Sequence, residues 1–162
     1  MNSFSSGSQN RVFGKGAGGN GLQNLSFGDY SNASGYLSKA YGYASQTFGY
    51  STQTGKDEEL FSGAFALALG QKTKAIGIAS MAQGKESTSN SSHSHSEGLY
   101  TLADGAGSHA EGESSNTTGR ASHTEGFITT AKGDYAHAEG GETVAYRAKS
   151  HAEGFKTFSI GA

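Results

Sequence analysis

Five histidines recur in the second half of the chain, and each is followed two residues later by a glutamate. The histidines stand 14 residues apart, and the ten residues are His95, Glu97, His109, Glu111, His123, Glu125, His137, Glu139, His151 and Glu153. Imidazole and carboxylate groups at one repeated spacing can form ion pairs, exchange protons near neutral pH or bind a divalent metal ion. Which chemistry applies depends on how the backbone places equivalent residues.

The same repetition argues against catalysis. An active site needs one asymmetric cleft, whereas His-x-Glu occurs here in five equivalent copies. Ser108 and His109 are adjacent, but neighbouring strand residues point to opposite faces and cannot form a nucleophile–base pair. We therefore predict a non-enzymatic protein with no catalytic residue, no cofactor and no assigned metal ligand.

Glycine marks a seven-residue period along the whole chain. It stands at residue 7 and at almost every seventh residue after it, with interruptions only at Lys56, Ser91 and Arg147. A coiled coil is excluded, because glycine stands where large apolar residues would be needed. Two and four residues before each glycine the side chain is usually small, whereas the residues between vary and are often large. This alternation is typical of a five-residue strand followed by a two-residue turn. We expect no insertion to shift the phase.

The 14-residue spacing of the histidines indicates that two strands and two turns close one flattened coil. At 14 residues per coil, 162 residues give about eleven layers, stacked about 4.8 Å apart. Only Ala, Ser, Thr and Gly fit in so thin an interior. The sequence thus predicts an all-β protein, a parallel β-solenoid with 14-residue coils. It forms one domain over residues 3–162 after a short extension, residues 1–2.

The composition excludes several function classes. Hydrophobic residues make up 33% of the chain, Gly numbers 26, Pro, Cys and Trp are absent, and the net charge is −2. This charge provides no electrostatic basis for binding nucleic acid or an anionic membrane. No apolar run approaches the length of about 20 residues that spans a bilayer. We predict no nucleic-acid partner and no direct membrane insertion.

The repeat units resemble a known family. The segment FALALGQKTKAIGIASMAQG, residues 65–84, and the later units SHAEG, SHSEG, SHTEG and AHAEG resemble the YadA-like head repeat of trimeric autotransporter adhesins. The resemblance covers nearly the entire chain. It implies a left-handed parallel β-roll and a homotrimer of three chains side by side. Such repeats also occur in phage tail and fibre proteins.

A trimer also has a physical rationale, because one coil stack buries only methyl-sized groups and gains little against the entropy of ordering the chain. In the resembled family, matching Val and Ile positions face the trimer axis. We predict that an apolar row does so here, and its members are Leu25, Phe27, Tyr41, Leu67, Leu69 and Met81. We predict that the ten His and Glu residues continue that row as a polar one.

Three interpretations of the His/Glu row remain open. Each His can pair with a Glu, across a subunit boundary, so that stacked carboxylates do not repel one another. The row can instead bind a metal ion or an anion, with three symmetry-related imidazoles converging in each layer. In the third interpretation the row lies on the outer surface and has a binding role there.

Two further features suggest contacts with partners. Tyr36 and Tyr50 lie 14 residues apart and should stack on one turn edge, with Tyr43 on the opposite edge. They are candidate receptor contacts, or they pack over the glycine turns or against a neighbouring chain. The run Lys56-Asp57-Glu58-Glu59 replaces a turn glycine and is predicted to be a solvated bulge or a loop that touches a partner.

Taken with the resemblance, these features lead us to expect a trimeric fibre or head module of an extracellular appendage that mediates attachment. A phage tail or head fibre on the virion surface and the head fragment of a bacterial adhesin on the cell surface are the two candidate owners. The expected partners are a host-surface glycan or protein receptor and neighbouring stalk, cap or virion proteins. A structural spacer without a receptor is a third alternative.

Overall fold

Each coil of the chain consists of one five-residue strand, one two-residue strand and two turns. The structure is a computed structural model that describes residues 2–57, 59 and 61–161. Within these residues the strands form two parallel sheets of 11 strands each. The predicted all-β parallel solenoid with 14-residue coils is confirmed, although the two strands of a coil are unequal in length.

The five-residue strands carry odd numbers and form the first sheet. They are β1 (Phe4–Ser8), β3 (Gly18–Leu22), β5 (Asn32–Tyr36), β7 (Gln46–Tyr50), β9 (Leu67–Gln71), β11 (Met81–Lys85), β13 (His95–Leu99), β15 (His109–Glu113), β17 (His123–Phe127), β19 (His137–Gly141) and β21 (His151–Phe155).

The two-residue strands carry even numbers and form the second sheet. They are β2 (Arg11–Val12), β4 (Leu25–Ser26), β6 (Lys39–Ala40), β8 (Gln53–Thr54), β10 (Lys74–Ala75), β12 (Thr88–Ser89), β14 (Leu102–Ala103), β16 (Asn116–Thr117), β18 (Thr130–Ala131), β20 (Val144–Ala145) and β22 (Phe158–Ser159).

Strand pairing places equivalent residues directly above one another. In β15 and β17, for example, His109 pairs with His123 and Glu111 pairs with Glu125. Because parallel strands lie about 4.8 Å apart, eleven layers make a rod roughly 50 Å long. Every outward-facing position therefore becomes a column of side chains along the rod.

The interior contains only small side chains, as the alternation predicts. All of the buried hydrophobic residues in the described chain are alanines, such as Ala33, Ala68 and Ala110, and the buried polar residues are serines, threonines and Asn24. Several interior hydroxyls donate to backbone carbonyls of the next layer, as Ser87 Oγ does to the Gly98 carbonyl oxygen at 3.0 Å. The alternation of small and large residues is thus confirmed as an inside–outside pattern.

The glycines of the five-residue strands are required by close backbone contact. Gly112 has a φ of +104°, and a Cβ at this position would lie 2.1 Å from the carbonyl oxygen of Gly126 in the next layer. No side chain fits at that distance, and the positive φ disfavours L-residues independently. These glycines lie within strands, not in the turns where the period suggested all of them would lie.

One insertion interrupts the regular 14-residue stack, although it leaves the seven-residue phase of the glycines unshifted as predicted. Most equivalent residues are 14 apart, but Gln46 pairs with Leu67 and Gln53 pairs with Lys74, which are 21 apart. The seven extra residues of the sequence, 56–62, stand between β8 and β9, and those of them that the structure describes belong to neither sheet. The insertion is seven residues long, so the glycines keep their seven-residue period. Seven residues are also half of a 14-residue coil, so residues with the same 14-residue phase lie on different sheets before and after the insertion.

Candidate functional site: the histidine–glutamate column and the aromatic cleft

The predicted His/Glu row exists and forms one column on the outer face of the five-residue strands. We call the ten residues from His95 to Glu153 named above the His/Glu column. Neighbouring imidazole centroids along it are 4.7–4.9 Å apart, and the rings are stacked except at the His123–His137 step, where the interplanar angle is 76°. The 14-residue spacing predicted this stacking.

Four of the five His residues of the column contact the Glu of their own layer. Four layers bring Nε2 within 3.5–3.9 Å of a carboxylate oxygen, in the pairs His95–Glu97, His109–Glu111, His137–Glu139 and His151–Glu153. These pairs are ionic only when the imidazole is protonated, and they form within one chain. Among the described residues, His123 has no such carboxylate contact. Pairing across a subunit boundary remains a prediction.

The imidazole nitrogens of the column are poorly satisfied. The Nε2 atoms of His95, His109, His123 and His137 have almost no contact with solvent and no hydrogen-bond partner. Distances of 3.5 Å and more from the carboxylates are too long for a good hydrogen bond. Buried polar atoms in this state usually receive a partner from another chain, an ion or water.

Burial and neighbouring charge make two histidines of the column harder to protonate. Desolvation lowers the pKa of His109 below its usual 6.5, with a further decrease from His95, against the opposing effect of Glu111, Glu97 and Glu125. The pKa of His123 is lowered for the same reason, by desolvation and then by His109 and His137. The centre of the column therefore favours neutral imidazole at pH 7.

The six residues of the predicted apolar row do not lie in one row. Leu67, Leu69 and Met81 lie in β9 and β11, in the same columns as His95 and Glu97. Leu25, Phe27 and Tyr41 lie in or directly after the two-residue strands, on the other sheet. The insertion explains this error, because it moves residues that share the 14-residue phase from one sheet to the other. The orientation of either group towards a trimer axis remains a prediction.

The tyrosines of the first coils are stacked as the spacing predicts. Tyr36 and Tyr50 have ring centroids 5.5 Å apart and are 37% and 44% exposed. Tyr43 belongs to a separate group, with Tyr30 at 5.7 Å and Phe65 at 5.5 Å. Of the three candidate receptor contacts, two thus share one column and the third lies beside the insertion.

The insertion and its neighbouring coils form an aromatic cleft that the sequence reading missed. The cleft has a volume of about 610 Å³ and is lined by the residues Phe27, Gly28, Asp29, Tyr41, Tyr43, Lys56, Glu59, Phe61, Ala64 and Phe65. Lys56 and Glu59 form an exposed ion pair at 3.4 Å. Burial, followed by the charge of Asp57, raises the pKa of Tyr41. Lys56, Asp57 and Glu59 are exposed, as expected for a solvated bulge, while Glu58 lies outside the described residues.

One residue in the sequence signalled the insertion. Phe61 stands two residues before Gly63, a position that is small in nearly every other seven-residue unit. A phenyl ring cannot enter an interior lined by Ala, Ser and Thr, so that unit cannot form a strand of the solenoid. Phe61 is 69% exposed in the structure.

The described part of the chain contains no helix long and apolar enough to cross a membrane. The side chain of Ser108 is buried whereas His109 lies on the outer face, so the two point in opposite directions as predicted. No protein-family model matches the sequence, and a search of curated proteins gives no match.

Proposed function

We propose that this protein is a non-enzymatic attachment module, a homotrimeric rod in the head or fibre of an extracellular appendage. The observation that carries the proposal is the distribution of apolar side chains. In the described residues no Val, Leu, Ile, Met, Phe or Tyr is buried, and many, such as Phe13, Tyr30 and Phe127, are about half exposed. A rod whose interior is filled by alanine and hydroxyl residues gains its missing apolar burial from lateral association.

The face of the five-residue strands is the proposed subunit contact. Leu67, Leu69 and Met81 continue the His/Glu column, so one flat face carries an apolar segment and a polar segment in the same two columns. The unpartnered Nε2 atoms of His95 and His137 in the column are groups that a neighbouring subunit can satisfy. The threefold symmetry and the left-handed coil belong to the proposal through the resemblance to YadA-like head repeats.

The aromatic cleft is the proposed attachment surface, and a glycan is the proposed ligand. Tyr43 and Phe65 form an edge-to-face pair, and Phe61 from the insertion adds a third ring beside them. Aromatic faces provide apolar contact area for sugar rings, while charged groups at the rim fix their orientation through hydrogen bonds. Asp29, Lys56 and Glu59 are such groups. This assignment extends the predicted receptor contact from Tyr43 to the residues around it.

On this proposal the rod presents its cleft at the surface of a virion or a bacterial cell, joined to stalk, cap or virion proteins at its ends. Stiffness follows from continuous backbone pairing along both sheets. A long rigid rod with a cleft on its side binds a receptor at a distance from the virion or cell that carries the rod.

Binding of the intact protein to a glycan array and to candidate host cells tests the attachment function. We expect selective glycan binding that Tyr43→Ala reduces at least tenfold, because this residue contributes an exposed ring to the cleft. Tyr100→Ala is the matched control, since Tyr100 is 50% exposed and does not line the cleft. Absence of binding to all glycans and cells would contradict attachment and favour a structural spacer. Equal loss in both variants would contradict the assignment of the cleft.

A further inference from the structure

The His/Glu column brings three metal-ligating side chains together at its centre. Donor atoms of His109, Glu111 and His123 all lie within 4.8 Å of one another. The two imidazoles come from consecutive layers, with centroids 4.9 Å apart and an interplanar angle of 1°. Strand pairing in exact register holds them in this arrangement, because His109 is the direct pairing partner of His123.

The donor atoms are available for a ligand. Neither His109 Nε2 nor His123 Nε2 has a hydrogen-bond partner. Glu111 approaches His109 only to 3.9 Å, and its side chain is 47% exposed. No hydrogen bond to either nitrogen has to break before a cation binds. The arrangement brings one nitrogen of each imidazole within 4.8 Å of a carboxylate oxygen of Glu111.

We propose that His109, Glu111 and His123 form a binding site for Zn²⁺ or a comparable divalent transition-metal ion. Two imidazole nitrogens and one carboxylate oxygen suit Zn²⁺, Co²⁺, Ni²⁺ and Cu²⁺, whereas Mg²⁺ and Ca²⁺ prefer oxygen ligands alone. Three protein ligands leave the fourth position of a tetrahedral zinc ion to water or to a group from another molecule. All three ligands come from one chain, so the site goes beyond the proposed function and does not depend on trimer formation.

Metal binding requires a small closure of the site. Tetrahedral zinc with bonds of about 2.0–2.1 Å brings its donor atoms to roughly 3.4 Å from one another. The donors must therefore approach from their present separations of up to 4.8 Å. Tilting of the two stacked rings towards each other and rotation of the partly exposed Glu111 side chain provide this movement without any change in the backbone.

The central triplet differs from the neighbouring layers. His123 is the one His of the column without a carboxylate contact in the described residues, whereas His95, His137 and His151 each face the Glu of their own layer. Between His123 and His137 the rings turn to 76° from each other, which interrupts the stacked arrangement. His123 is therefore parallel to His109, with which it shares the cluster, and not to His137.

Calorimetric titration of the metal-free protein with ZnCl₂ at pH 7.5 tests the site. We expect about one tight Zn²⁺ per chain, complete loss of that binding in the His109→Ala/His123→Ala double variant, and at least ~10-fold weaker binding in Glu111→Gln. The control is His93→Asn, because His93 is an exposed turn residue with a φ of +59° that lies outside the column and Asn tolerates this conformation. Circular dichroism establishes that each variant retains its β-structure.

The results of these titrations decide whether Zn²⁺ binds at His109, Glu111 and His123 or elsewhere on the protein. Wild-type affinity in the double variant, or an equal loss in His93→Asn, would overturn the proposal. One Zn²⁺ per three chains would also overturn it, since that stoichiometry requires ligands from all three subunits. Titration with Co²⁺ gives an independent readout, because a tetrahedral site with nitrogen ligands produces visible d–d absorption that the double variant must lack. None of these results depends on glycan binding, so the proposed attachment function is tested separately.

Discussion

The coils before and after the insertion share one interior and differ in what they display. In β5 and β7 the column that later carries the histidines holds Asn32 and Gln46, and in β15 and β17 it holds His109 and His123. The aromatic residues of the first coils lie mostly at the turns and beside the short strands, as Phe27 and Tyr43 do. The interior of both regions is nonetheless Ala, Ser and Thr throughout, with Asn24 in the first coils. The interior thus determines the fold, while the outer columns are free to differ in function.

The largest expected effect comes from the glycines shared by both regions. Gly112→Ala should reduce the free energy of unfolding by about 3 kcal/mol or more, because the added Cβ meets the Gly126 carbonyl at 2.1 Å and φ is +104°. Gly107→Ala is the matched control, since φ is +65° there and no atom lies within 4 Å of the added Cβ. It should cost about 1 kcal/mol. Urea unfolding at equal protein concentration measures both, and equal losses would contradict the role of the strand glycines.

The histidines of the second region should make stability depend on pH. The folded-state pKa values of His109 and His123 lie below the unfolded value of 6.5, chiefly through desolvation. The unfolded chain then binds more protons, so stability is complete above about pH 6.5 and decreases as the pH falls towards the folded-state pKa values. We expect the melting temperature to fall between pH 7.5 and pH 5 in buffer containing a metal chelator.

A double substitution isolates this effect. His109→Asn/His123→Asn should flatten the dependence of melting temperature on pH, whereas His93→Asn should leave it unchanged. A wild-type melting temperature that does not vary between pH 7.5 and pH 5 would contradict desolvation of the central imidazoles.

The smallest effect on stability is expected for the segment that separates the two regions. Deletion of residues 56–62 restores 14-residue spacing between β7 and β9, and the backbone hydrogen bonds from Gly55 to Ala75 and from Gly63 to Ile76 can persist. The melting temperature should change by only a few degrees, because the described residues of the deleted segment belong to neither sheet. Glycan binding should be lost with the cleft. Unfolding of the deletion variant would show that the insertion is part of the scaffold.

The sequence predicts the scaffold well because sterics act on it at every coil. Small residues at Ala33 and Ala68 and the recurring glycines leave one solution, a thin parallel stack, and the His spacing gives its 14-residue coil. The outer columns are not constrained in this way. The insertion has the same length as the glycine period, so Leu25 and Leu67 share a phase in the sequence but lie on different sheets. Only a residue such as Phe61, which is too large for the interior position that its phase predicts and is exposed in the structure, indicates where the frame changes.

The cleft was harder to predict than the His/Glu column for a related reason. The column consists of residues at a constant spacing, so strand register alone brings them together. The cleft joins Phe27 and Tyr43 from regular coils with Phe61 from an irregular segment, and no spacing rule places that segment.

If this rod obtains its apolar burial from two further copies of itself, its mass in solution must be that of three chains. Light scattering at pH 7.5 should give three times the chain mass of 16.6 kDa, which is about 50 kDa. A mass that decreases towards that of one chain at pH 5 would place the His/Glu column at the interface. A folded protein of 16.6 kDa at pH 7.5 would contradict the trimer and leave the column and its apolar continuation as outer surface.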